Sequence, residues 1–198
     1  MIDSSPAAPR RAYEGHEAGA YWERLWQSGR RYRSIDGPER EALRRQVGVG
    51  HGRPALDIGS GDGALVHALA DLGHRPTGID CAPEALALAR RGHPGLDFRL
   101  HDFDHDDPTG LPAPAFALIT CRLVYRWAPD KAAFLARVRQ LLVPGGTFWV
   151  ATSVHRSRDR DAHDWEITAA DEELLTCTWS RADVTQLDDA YCCFALRP

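Results

Sequence analysis

The sequence predicts an α/β fold, a doubly wound and mostly parallel sheet with helices on both faces. Three observations carry this. Short apolar runs alternate with helical segments between residues 54 and 152. The first of these runs ends in a glycine-rich turn, and the chain closes on two strand-like runs joined by Asp188-Asp189-Ala190. A length of 198 residues suits one domain with a sizeable core.

The elements follow in order. Residues 1–9 are rich in Ser, Ala and Pro and are expected to fray. From His16 to Gln27, Trp22, Leu25 and Trp26 fall on one helical face, with Tyr21 beside them. The basic stretch Arg30 to Arg33 comes next. Pro38 to Val47 reads as a second helix, with Pro38 at its first position after Gly37. Ala55 to Ile58 is a strand running into Gly59, Gly61 and Gly63. Ala64 to Leu72 is a helix closed by Gly73. Pro76 to Ile79 is the second strand, Pro83 to Arg91 a helix, and Leu96 to Leu100 the third strand. Ala115 to Cys121 is the fourth strand. Lys131 to Leu142 is a helix with apolar positions 134, 135, 138, 141 and 142, broken by Pro144-Gly145-Gly146. Thr147 to Thr152 is the fifth strand and Ala169 to Cys177 a helix. Ala182 to Leu187 and Tyr191 to Leu196 form a hairpin-like end, which makes the sheet mixed.

Composition narrows the function. Acidic residues number 28 against 24 basic ones, a formal charge of −4, without the basic patch of a nucleic-acid binder. Lys131 is the one lysine, a bias expected of a GC-rich bacterial genome. The cysteines, Cys81, Cys121, Cys177, Cys192 and Cys193, are odd in number and show no CxxC spacing. Cys192 and Cys193 should point to opposite faces of a strand. Reduced thiols and a cytoplasmic location are therefore expected. No run of about 18 apolar residues predicts a membrane span, and residues 1–11 lack the apolar core of a signal peptide.

Chemistry concentrates at Asp57-Ile58-Gly59-Ser60-Gly61-Asp62-Gly63. Glycines allow positive φ and close approach of a ligand to the backbone. The helix that follows offers unpaired N–H groups and a positive dipole end, which suits a nucleotide or a carboxylate. Gly59, Gly61 and Ala64 also fit a looser dinucleotide fingerprint. Asp57 inside the strand end and glycines at 59, 61 and 63 argue for another ligand, because a strand-end charge needs a polar partner. Asp80 ends the second strand, where a carboxylate can accept both ribose hydroxyls of a nucleoside; it would otherwise cap the helix starting at Pro83.

With these motifs in order, residues 50 to 152 resemble the class I S-adenosylmethionine (SAM) dependent methyltransferases, and within them the small-molecule enzymes of the ubiquinone and menaquinone type. The resemblance implies a Rossmann-like seven-stranded mixed sheet of order 3-2-1-4-5-7-6, its last strand antiparallel. It implies a SAM site at Asp57, Gly59, Ser60, Gly61, Asp62, Gly63, Asp80 and Cys81. It places Asp102 at the adenine amino group, Phe103 near the ring and Cys121 beside the methionine part. Leu141 to Gly146 resembles the family's turn before strand five. Phe116-Ala117, where Phe-Asp is common, and Val143, where a basic residue is usual, depart from the pattern.

The expected organisation is an N-terminal tail and helical cap over residues 1–47 and a SAM-binding core over 48–198. The expected activity is methyl transfer to a small-molecule acceptor of bacterial secondary metabolism, by a monomer or homodimer without nucleic-acid, membrane or metal partners. Alternatives are a SAM-binding protein that transfers no methyl, whether cyclase-like or regulatory, and an NAD(P)-dependent oxidoreductase. Residues 101–107, rich in His and Asp, read as an acidic solvated loop rather than a metal site. Trp22, Trp26, Tyr13, Tyr21 and Tyr32 are either core packing or a lid. Arg122 and Arg33 are candidates for an anionic substrate, and Tyr125 and His155 for a general base. Methyl transfer rests mainly on alignment of the reacting atoms and exclusion of water, so the catalytic residues stay unassigned.

Overall fold

In the computed structural model, residues 17–157, 163 and 165–198 are described. Tyr13, His16 and the expected frayed tail lie outside the described residues. The chain runs α1 (Glu17–Gln27), α2 (Gly37–Val47), β1 (Pro54–Ile58), α3 (Ala64–Asp71), β2 (Arg75–Asp80), α4 (Pro83–Gly92) and β3 (Asp97–Leu100). It continues with β4 (Phe116–Arg122), α5 (Lys131–Leu141), β5 (Leu142–Val154), β6 (Glu166–Ile167), α6 (Ala169–Thr176), β7 (Arg181–Gln186) and β8 (Tyr191–Arg197).

The sheet order is β3-β2-β1-β4-β5-β8-β7, with β6 added beside β5. β8 is antiparallel to β5 and to β7, and the other pairings are parallel. With β6 set aside, this is the expected order. The eighth strand is the correction: β6 has two residues, too few to leave a period-2 pattern in sequence. A second difference is that β5 begins at Leu142, before Pro144-Gly145-Gly146. Pairing with β4 jumps from Phe116–Leu142 to Leu118–Thr147. Gly145 at φ 74° lets the backbone bulge there rather than end the strand.

The buried faces explain the alternation. Leu56, Ile58, Ile119, Phe148, Val150 and Phe194 pack on Phe134, Leu135 and Val138 of α5. Ala55, Leu118, Trp149, Ala151 and Cys193 pack on Ala42 and Leu43 of α2 and Leu65 and Leu69 of α3. α2, grouped with the cap in the sequence reading, is therefore buried against the sheet. Cys192 joins the first face and Cys193 the second, and all five cysteines are free. Asp36 caps α2, Asp130 caps α5, and Thr168 with Asp171 forms a capping box on α6. α3 and α4 have no such side-chain cap of their own.

Candidate active site

β1 stops in a turn that only glycines can make. Gly59, Gly61 and Gly63 have φ of 68°, 55° and 85°, left-handed values that cost a residue with a Cβ. Space is short as well, since a Cβ on Gly59 would stand 2.3 Å from Val124 Cγ2. The turn is tied to β2 by Ser60 N–H donating to the Ile79 carbonyl at 2.9 Å.

Two buried carboxylates flank this turn. Asp57 Oδ1 accepts from the Thr120 hydroxyl at 2.7 Å, the polar partner that a strand-end charge requires. Burial pushes Asp57 up to about 7, opposed by that hydrogen bond and by Arg122. Asp80 Oδ2 accepts from Gly61 N–H and Oδ1 from Ala82 N–H, both at 2.9 Å. Burial pushes Asp80 up to about 6. Each of its oxygens keeps acceptor capacity beyond one backbone bond, so the carboxylate braces the turn and can still take ligand hydroxyls.

A cleft of about 1330 Å³, its open mouth included, lies over the turn. Asp57, Gly59, Ser60, Gly61, Asp62, Asp80, Cys81, Asp102 and Phe103 line it. Among these, the Ser60 hydroxyl is buried without a hydrogen-bond partner among the described residues. Its far wall is aromatic. Trp22 stands edge-on to Tyr32 and Trp127, with centroids 5.8 and 5.4 Å away, and Trp26 lies over Gly61. Leu123, at φ 62°, turns the chain sharply after β4 and leads into Val124 over Gly59.

Residues 56–148 match the family model of a methyltransferase domain. That stretch is similar to methyltransferase domains. Over 105 residues the chain is 33% identical to a ubiquinone biosynthesis O-methyltransferase of Xanthomonas campestris pv. campestris, covering 51% of this chain and 43% of that protein. Over 129 residues it is 34% identical to a protein of the same name from Paramagnetospirillum magneticum, covering 63% of this chain and 48% of that one. The chain matches less than half the length of these relatives. It also superposes on the Burkholderia thailandensis 1,6-didemethyltoxoflavin-N1-methyltransferase, crystallised with 1,6-didemethyltoxoflavin and S-adenosylhomocysteine, at a TM-score of 0.69 and 22% identity. That alignment covers 100% of this chain and 97% of the other, and shows a shared fold.

Within the matched stretch and its surroundings, not every expected residue reaches the cleft. Gly63 starts α3, and Cys121 is fully buried in the core below. Tyr125 is fully buried too, its hydroxyl donating to the Asp171 carbonyl at 3.3 Å, and burial pushes its pKa up. His155 pairs with Glu166 at 3.2 Å. Neither Tyr125 nor His155 lines the cleft. Arg122 does, but its Nε and Nη2 donate to Glu39, at 2.7 and 2.9 Å, and Glu39 also accepts from Tyr191 at 3.0 Å. Arg33 pairs with Asp36 and Asp188 at 2.9 and 3.3 Å and lies 4.2 Å over the Tyr191 ring. Both arginines therefore meet carboxylates of the chain itself. Asp102 accepts from the amides of Asp104 and His105 and pairs with the His105 ring at 3.0 Å. Phe103 is mostly buried, against Phe134 at 4.8 Å.

Sequence reasoning passed over Ser34, Ile35, Leu123, Val124 and Pro129, which also line the cleft. Leu123 and Val124 carry no chemical signature; the signal available was their place directly after strand four. Among the described residues, no group of three or more His, Cys, Asp or Glu side chains is placed to hold a metal ion, and no helix is long and apolar enough to cross a membrane.

Proposed function

We propose that the chain binds SAM in this cleft and transfers its methyl group to a small-molecule acceptor held under the aromatic wall. The observation that carries the reading is the Asp80 carboxylate braced beneath a glycine turn at the cleft floor. A nucleoside seated there meets a fixed acceptor pair for its ribose and glycines that admit close backbone approach. Asp57, Gly59, Ser60, Gly61, Asp62 and Cys81 would surround the rest of the cofactor, with Asp102 and Phe103 at its adenine end. The bound cofactor supplies an electrophilic sulfonium methyl.

The chain's own residues position the reactants. Trp22, Trp127 and Tyr32 offer apolar surface to an acceptor and exclude water. The imidazoles that line the cleft, His101 and His105, belong to the β3 side, where His101 contacts Arg137 at 2.9 Å. Burial and Arg137 lower the His101 pKa, which favours the neutral ring. Catalysis by alignment fits this set of groups better than catalysis by a dedicated base. Arg33 and Arg122, already paired, serve as braces in this reading rather than as anchors for an anionic acceptor.

Of the expected cap over residues 1–47, α1 and the segment after it would cover the cleft, while α2 belongs with the core of 48–198 on which it packs. A cytoplasmic monomer or homodimer without nucleic-acid partners agrees with the acidic balance and free cysteines. Calorimetry with SAM, S-adenosylhomocysteine and NAD, followed by assays for transfer of labelled methyl to small aromatic acceptors, tests the reading. SAM and S-adenosylhomocysteine should bind and NAD should not; selective binding of NAD would overturn it.

A further inference from the structure

Tyr32 belongs to no motif, yet it sits at the centre of the cleft's roof. Its ring packs on Trp26 at 5.2 Å and Trp22 at 5.8 Å, and against the Ala82 and Ala85 cluster where α4 begins, directly after Asp80. The residue lines the cleft. Its hydroxyl oxygen is closed off from solvent and has no hydrogen-bond partner among the described residues. Burial pushes its pKa up to about 12, so the oxygen keeps its proton at neutral pH. A buried hydroxyl without a partner costs stability, and phenylalanine would fill the same space without that cost. The oxygen is therefore explained by a partner that arrives with a ligand.

We infer that the Tyr32 hydroxyl donates a hydrogen bond to the ribose of the bound nucleoside, from the aromatic part of the cleft lining that packs on the start of α4 just after Asp80. The inference rests on the SAM reading above. Its chemistry is complementary to the floor: a ribose hydroxyl that gives its proton to the Asp80 carboxylate keeps two lone pairs, and a phenol O–H is a donor for one of them. Asp80 supplies acceptors, while Tyr32 supplies the donor.

The test is a titration of S-adenosylhomocysteine and of 5′-methylthioadenosine into the unaltered protein and Tyr32→Phe, with thermal unfolding of both proteins without ligand. The second ligand keeps the ribose and lacks the amino-acid arm. Tyr32→Phe should weaken both ligands by roughly 5- to 20-fold, as for one lost hydrogen bond. Its unliganded melting temperature should stay equal or rise, which a merely structural hydroxyl would not allow. Unchanged affinities would overturn the inference and leave water as the hydroxyl's partner. A loss for S-adenosylhomocysteine alone would overturn the ribose assignment, and a lowered melting temperature would overturn the ligand role. If the unaltered protein binds neither nucleoside, the SAM reading falls as well, a result distinct from equal binding by both proteins.

Discussion

The floor and the roof of the cleft are built on different principles. The floor, from Asp57 through α3 to Asp80, is held by backbone: three left-handed glycines, a Ser60–Ile79 bond and two amides on Asp80. The roof, α1 with residues 28–35 and the turn after β4, is held by side chains. It relies on aromatic edges, an arginine over Tyr191, and the Arg122–Glu39 pair. Backbone constraints admit few residue types, whereas side-chain packing admits many. The floor should therefore break when one residue changes, and the roof should yield by degrees.

The sharpest break should come from Gly59→Ala. Its Cβ would meet Val124 while the residue keeps a left-handed φ. Strain and overpacking together should cost about 2–4 kcal/mol, seen in calorimetry as near-complete loss of S-adenosylhomocysteine binding. Gly61→Ala sharpens the contrast, because its Cβ meets only the Trp26 ring, at 3.1 Å. Binding that falls as far there as at Gly59 would show that the left-handed φ both positions share, and not the Val124 contact, sets the loss.

Asp80→Ala comes next, with a loss of about 1–3 kcal/mol in binding, as for charge-assisted hydrogen bonds. In the unaltered protein, affinity should decline as pH falls below about 6, where Asp80 takes up a proton. A pH-independent affinity between 5 and 8 would remove Asp80 from the ligand's contacts.

Glu23→Ala probes the roof. Glu23 accepts from the Glu84 amide at 2.8 Å, in the first turn of α4. The loss should resemble that of a helix cap, about 1 kcal/mol, with faster hydrogen exchange in residues 17–27. An unchanged melting temperature and exchange pattern would show that α1 docks without this bond.

The last test concerns Asp57. Its folded pKa of about 7 lies above the ordinary carboxylate value. Between about pH 4 and 7 the folded state thus holds a proton that the unfolded chain has released. Stability from this group is present below pH 4 and lost as pH rises through 7. Asp57→Asn should flatten that fall in a series of unfolding curves; an unaltered slope would mean that Asp57 is ionised throughout.

The same contrast decides what could be read from sequence. Gly59, Gly61, Gly63 and Asp80 were legible because a turn with positive φ and a carboxylate at a strand end each demand a residue type. The sheet order came through because strand and helix periods alternate cleanly. Arg122 read as an anion binder because its partners, Glu39 and Tyr191, are 83 and 69 residues away along the chain, where no local pattern can signal them. Tyr125 read as a loop base because nothing nearby in sequence shows that it turns into the core. β6, two residues long, had no period to read.

α4 starts at Ala82-Pro83 without a side chain of its own to satisfy its first amides, and Glu23 of α1 does so from 61 residues upstream. The stretch that matches a methyltransferase domain begins at residue 56 and stops at 148, part-way along β5 and short of β8, which lies between β5 and the edge strand β7. What is recognisable and what can fold alone are thus different lengths of this chain. A fragment trimmed to residues 56–148 would keep the glycine turn and Asp80, yet lose the half of β5 that joins Thr120–Arg122 of β4 to β8 and leave the start of α4 bare. It should aggregate rather than bind, while the described chain carries both the fingerprint and the parts that hold it in shape.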